Sequence, residues 1–176
     1  MGKFSTTSET AFAYPAEAIF DFAIDPSDWG KPYKSSSSSG TPSKQARNLT
    51  LPLEFGDEWT ERVELPPNTH LSTWRLITID RPRKFVFQQH NDIGRKEDGT
   101  GGEREFVTIS YTFEPDVGQG VTLFTQNLTC ELPKGVGIPD DLLTVYCRPD
   151  GIDRYHSSVE KELNRVFGER KEGEEK

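Results

Sequence analysis

The sequence has two cysteines, three histidines and one methionine, and no apolar stretch of membrane-spanning length. Cys130 and Cys147 stand outside any CxxC pair, so they read as reduced thiols and not as a disulfide or redox couple. His70, His90 and His156 lie far apart with no metal-ligand spacing, which argues against a zinc site, and no cofactor is expected. There is no GxSxG, no Gly-rich phosphate loop and no cysteine with an arranged base, so nucleophilic catalysis has no support. The first residues, MGKFSTTSET, lack the apolar core of a signal peptide. The expectation is a cytoplasmic protein without membrane insertion. Basic charge is short as well. Against 29 Asp and Glu stand 21 Lys and Arg, a formal net charge of -8, and the basic residues are scattered. That balance argues against a nucleic-acid partner.

What remains is a chain of 176 residues, enough for one domain with a real core. Residues 3–12, KFSTTSETAF, read as a strand with one polar face. Pro15 suits the first turn of a helix, and Ala16, Ile19, Phe20 and Ala23 fall on one side of it, widened by Phe22 and Ile24. Asp25-Pro26 stops that helix, and Ser27 caps a second short one carrying Trp29. The stretch 34–45, KSSSSSGTPSKQ, reads as a flexible loop. Strands are expected near 47–55, 57–65, 71–79, 84–91, 104–114 and 120–131, separated by Gly- and Pro-rich breaks typical of an antiparallel meander. Residues 140–147 form a short helical stretch, cut off by Pro149 from a long C-terminal helix. Ile152, Tyr155, His156, Val159, Leu163, Val166 and Phe167 recur there at helical spacing. The last residues, 170–176, are charged and expected to fray.

This order predicts an α+β fold: a seven-stranded curved antiparallel sheet wrapped around the long C-terminal helix, with two short helices after the first strand. Four segments strengthen it. "YPAEAIFDFAIDPSDW" resembles the opening segment of the START-like (SRPBCC) superfamily, which groups polyketide cyclases and dehydratases with lipid-transfer and pollen-allergen-like domains. "LPLEFGDEWTERVEL", with its glycine turn at Gly56, is similar to the second and third strands of that fold. "STWRLITIDRPRKFVFQQH" resembles the fourth and fifth around a turn at Pro82, and "FVTISYTFEPDVGQGVTLFTQNL" the last hairpin. The resemblance spans Phe4 to Phe167 and implies a helix-grip fold with a deep apolar pocket between sheet and last helix. It carries no fixed catalytic motif.

Candidate residues therefore come from strand parity. Asp57, Trp59, Glu61 and Val63 share the face assigned inward, and Trp74 shares one with Leu76. Phe85, Phe87 and Gln89 alternate with Val86, Gln88 and His90, and either set fits inward. Val107, Ile109, Tyr111 and Phe113 form one apolar face, as do Thr122, Phe124, Gln126 and Leu128, which makes Tyr111 and Gln126 a polar pair on neighbouring strands. Tyr146, Tyr155 and His156 add polar groups from the helical side, although a histidine on an apolar helix face is more often a satisfied packing residue than a base. Trp29 is either a plug on the core or a wall of the pocket mouth.

The function expected is binding of a hydrophobic small molecule, lipid- or polyketide-like. One version is catalytic: aldol cyclisation, dehydration or isomerisation, with Tyr111, Glu61 and His90 as acid, base and hydrogen-bond donor. A non-catalytic carrier and a co-chaperone-like interaction domain are the alternatives. A homodimer is left open.

Overall fold

The computed structural model describes residues 2–26, 43–47, 50–65, 68–93, 100, 103–132, 134–135 and 149–168. The elements run β1 (Gly2–Phe12), α1 (Ala16–Ile24), β2 (Ser43–Arg47), β3 (Glu58–Leu65), β4 (Asn68–Asp80), β5 (Lys84–Ile93), β6 (Glu103–Asp116), β7 (Val121–Leu132) and α2 (Pro149–Phe167). Six strands of 8–14 residues and the five-residue edge strand β2 form one antiparallel sheet in the order β1-β7-β6-β5-β4-β3-β2. Consecutive strands pair through hairpins except at one edge, where β1 adds to β7. No helix among the described residues is long and apolar enough to cross a membrane.

Residues paired directly across an antiparallel ladder point to the same face, so the register sorts the inner side chains into rows. One row runs Trp59–Trp74–Gln89–Val107–Cys130–Phe4 across six strands. Towards one end of the sheet follow Leu76–Phe87–Ile109–Leu128–Thr6, then Phe85–Tyr111–Gln126–Ser8, then Phe113–Phe124–Thr10. Towards the other end lies Glu61 opposite Ser72. β7 shows the alternation without a fault, with Thr122, Phe124, Gln126, Leu128, Cys130 and Leu132 all buried. The ladder shifts between Leu76 and Thr78, a bulge that bends β4 and adds twist.

α1 buries Ala16, Ile19, Phe20, Phe22 and Ala23, and Phe20 packs edge-on against Phe85 at 5.2 Å. It begins after Pro15, whose carbonyl accepts from the Ala18 and Ile19 N–H groups, and ends at Asp25 before Pro26. Arg81, in the β4–β5 turn, grips Asp21 of α1 with two bonds of 2.8 and 2.6 Å. α2 buries Ile152, Tyr155, His156, Val159 and Leu163. Burying such a side chain stabilises by about 1.5–3 kcal/mol, an upper figure against an extended chain.

Several sequence-based expectations need correction. The strand expected at 47–55 is displaced: β2 spans Ser43–Arg47, and 50–57 are bends and turns. Pro52 interrupts that apolar run, which buries Leu53 and leaves Leu51 and Phe55 exposed. Gly56, at φ 93, closes the turn and donates to the Leu76 carbonyl at 2.8 Å. The loop expected over 34–45 therefore gives up Ser43–Gln45 to the edge strand; 34–42 lie outside the described residues. The apolar stripe of α2 also ends early, with Val166 and Phe167 half exposed in the last turn. The polar residues of β1 are not confined to one face: Lys3, Ser5, Thr7 and Glu9 are exposed. Thr6 and Ser8 are buried in phase with Phe12. The second short helix, the 140–147 stretch and the charged tail 170–176 lie outside the described residues.

Candidate functional site

Two groups of polar side chains interrupt the otherwise apolar inner face, and they lie on different rows. The first surrounds Glu61, which β3 turns inward beside Trp59 and which retains 3% of its accessible surface. Its Oε2 accepts a hydrogen bond from the Trp74 indole N–H at 3.0 Å. Ser72, opposite it on β4, and Gln89, opposite Trp74 on β5, are buried too. The surrounding wall is aromatic. Trp59 meets Phe87 edge-on with centroids 5.0 Å apart, and Trp74 meets the same ring at 6.5 Å. This geometry suits offset aromatic packing, and it places a carboxylate where water is scarce.

The second group is the seam between α2 and the β1–β7 edge. Ser8 donates to Asp153, and Tyr14 to Asn164 and, at 3.1 Å, to the Gly168 carbonyl. The Thr10 hydroxyl lies 2.8 Å from His156 Nδ1, and Gln126 Oε1 lies 3.2 Å from Nε2. An amide oxygen only accepts, so Nε2 carries the proton and donates, leaving Nδ1 to accept from Thr10. The His156 ring sits 4.7 Å from Phe124. Burial pushes its pKa down to about 4, against a weaker upward pull from Asp153, so the imidazole is neutral at pH 7.

The expected acid–base trio is not assembled. Glu61 pairs with Ser72, whereas Tyr111 is linked through Phe85 to Ile79, seven positions further along β4. At about 3.3 Å per residue that is ~20 Å along the strands, and β4 and β5 lie between them as well. Tyr111 instead packs with Phe85 at 4.6 Å, Phe124 at 5.8 Å and Phe87 at 6.2 Å. His90 lies in β5 opposite Thr73 and Phe106, and its side chain is outside the described residues, as are Trp29 and Tyr146. Of the remaining candidates, Trp59, Trp74 and Phe87 gather around Glu61. Phe124, Gln126 and His156 gather at the seam, and Tyr155 packs beside His156 with centroids 6.2 Å apart. Asp57, read as facing inward, closes its own turn by accepting the Glu54 N–H at 2.8 Å.

Sequence reasoning missed Ser72, Ser8 and Thr10. Each shares parity with an inward aromatic, Trp74 for Ser72 and Phe12 for the other two, and that parity was the available signal.

No family model and no curated protein matches the chain. Solved structures do. A protein from Arthrobacter aurescens is 13% identical with a TM-score of 0.64, covering 98% of this chain and 93% of its own. Ara h 8.0201 is 12% identical with a TM-score of 0.61, covering 93% and 99%. A point mutant of Thalictrum flavum norcoclaurine synthase, solved with a transition-state analogue, is 10% identical with a TM-score of 0.60, covering 94% and 97%. At such identities the likeness establishes the fold, and it extends over nearly the whole of each chain. The architecture is an α+β helix-grip fold.

Proposed function

We propose that the protein binds a hydrophobic small molecule against the inner face of β3–β5, with Glu61 holding the ligand's polar group. The observation that carries this reading is the buried carboxylate of Glu61, set among Trp59, Trp74 and Phe87 with Ser72 and Gln89 beside it. Small-molecule sites have this composition: an apolar wall and a few convergent polar groups. A fold neighbour solved with a transition-state analogue supports the idea that such a scaffold houses a small molecule.

The finer version is START-like and catalytic, close to the polyketide cyclases and dehydratases. Aldol cyclisation, dehydration or isomerisation each need a proton moved beside a carbonyl, and Glu61 is the group for that task. A carrier needs the same wall without the proton transfer.

The test is a titration of the full chain with the neutral dye phenylnaphthylamine, reading dye emission and energy transfer from the indoles. Saturable one-to-one binding is expected, with transfer reduced when Trp59 and Trp74 are both changed to Phe. Dye emission that rises without saturation would refute the proposal.

A further inference from the structure

β1 is the longer of the two edge strands, 11 residues against the 5 of β2. It pairs with β7 along its whole length, and among the described residues no strand takes its other side. Such an edge offers a row of backbone donors and acceptors to a further strand. Its exposed side chains are Lys3, Ser5, Thr7 and Glu9, with Phe4, Thr6 and Ser8 on the inner face. The two charges are therefore of opposite sign, one towards each end.

Parity restricts how a second β1 can add to this one. Residues directly opposite in an antiparallel ladder share a face, so a one-residue slip turns exposed side chains inward. Pairing about a two-fold axis at Thr6 sets Lys3 opposite the other copy's Glu9, and Glu9 opposite its Lys3. Ser5 and Thr7 then face each other, and Phe4 meets Ser8. An axis at Thr7 sets Lys3 against Ala11 and Glu9 against Ser5, while one at Ser5 carries Glu9 past Gly2. A parallel pair in register stacks like charges. Opposite charges directly across a ladder stabilise it and like charges oppose it, so the Thr6 register is favoured.

The contacts already present extend this arrangement. Lys3 lies 3.0 Å from Glu131 of β7, and Glu9 accepts from Thr125 at 3.1 Å. Joining two copies makes the row Glu131, Lys3, then the other copy's Glu9 and Thr125. An ammonium has three donors and can serve both carboxylates. α2 leaves room as well. Its Asp153, His156 and Asn164 meet Ser8, Thr10 and Tyr14 in that order, so the helix runs away from Thr6. A two-fold axis there sends the two helices in opposite directions.

We propose that β1 is a homodimer junction: two copies pair antiparallel about Thr6 and join two seven-stranded sheets into one. It does not depend on the guest molecule proposed above.

Sedimentation velocity on the full chain at low salt, over a concentration series reaching the millimolar range, tests it. A monomer–dimer equilibrium is expected. Lys3→Glu or Glu9→Lys alone turns two attractions into two repulsions and should raise the dissociation constant at least about tenfold. The two changes combined should restore it. Cross-linking reads the register, in a Cys147→Ser background. Ser5→Cys and Thr7→Cys chains should form a disulfide when mixed and not when alone, because like positions lie about 8 Å apart, beyond disulfide reach. A monomer throughout the series, a dimer indifferent to both charge reversals, or equal cross-linking in single and mixed samples would overturn the proposal. Cross-linking needs neither charge variant, so it decides the register even if one of them folds poorly.

Discussion

Over β1 and β7 the inner face meets α2 through hydroxyls, amides and a neutral imidazole, each bonded to a named partner across the seam. Over β3–β5 the described part of the same face is mainly indole and phenyl around one carboxylate, with Leu76, Ser72 and Gln89 beside them. Both regions are buried, and both belong to one continuous aromatic core running from Trp74 through Phe87, Phe85 and Tyr111 to Phe124 and Phe12. The difference is where the polar groups are directed. Those of the seam hold a helix in register, a structural task. Those around Glu61 lie about three rows away from the seam's Gln126, in the part proposed to hold a guest.

The largest expected effect removes the contrast altogether. Phe85 touches Phe20, Phe87, Tyr111 and Phe113, so Phe85→Ala opens a cavity common to both regions. A loss of about 3–5 kcal/mol in a denaturant titration is expected, with far- and near-UV signals falling together.

Acid should act on the seam through His156. The folded pKa of His156, about 4, lies below the unfolded value near 6.5. The fold therefore favours the neutral ring. That contribution is complete above pH 6.5 and declines as pH falls towards 4, by about 3 kcal/mol in all. His156→Gln, which cannot titrate, should flatten this part of the stability profile. Denaturation midpoints at pH 7 and 4.5 measure it, and parallel profiles for the two proteins would contradict the neutral-imidazole assignment. The facing groups, Thr10 and Gln126, do not titrate. Asp153, one turn earlier on α2, is common to both proteins.

Glu61→Gln sharpens the comparison from the other side. The amide oxygen still accepts from Trp74, so that hydrogen bond should persist, and affinity for phenylnaphthylamine should fall while the far-UV signal is kept. Smallest of all, Arg81→Ala breaks an exposed grip on Asp21 and touches neither region, and the thermal midpoint should scarcely move.

The pattern of inner and outer residues was readable in advance wherever polarity alternates. Glu61 beside Trp59, Trp74 beside Leu76, and Gln126 between Phe124 and Leu128 all turn inward by parity. In β5 the run Phe85-Val86-Phe87 does not alternate, so sequence left its face open. The structure buries Phe85, Phe87 and Gln89, with Val86 nearly as enclosed. Edge strand β2 was hidden for another reason. Pairing at a sheet edge uses backbone groups, so Ser43–Arg47 joins the sheet despite a composition that reads as loop, while TLPLEF, residues 50–55, reads as strand and makes bends and turns. The seam was obscured because hydroxyl residues on a strand look solvent-facing until a helix supplies their partners. The separation of Glu61 from Tyr111 depends on strand register, which residue parity does not carry.

The pairing of β1 with β7 also bears on biosynthesis. Gly2 stands opposite Leu132, so β1, which precedes the other strands of this sheet in translation, has no neighbour until β7 has been made. Such distant closure slows folding and prolongs exposure of an unpaired edge. A nascent chain arrested ahead of Val121 should keep β1 open to protease, and release of the next dozen residues should shut it.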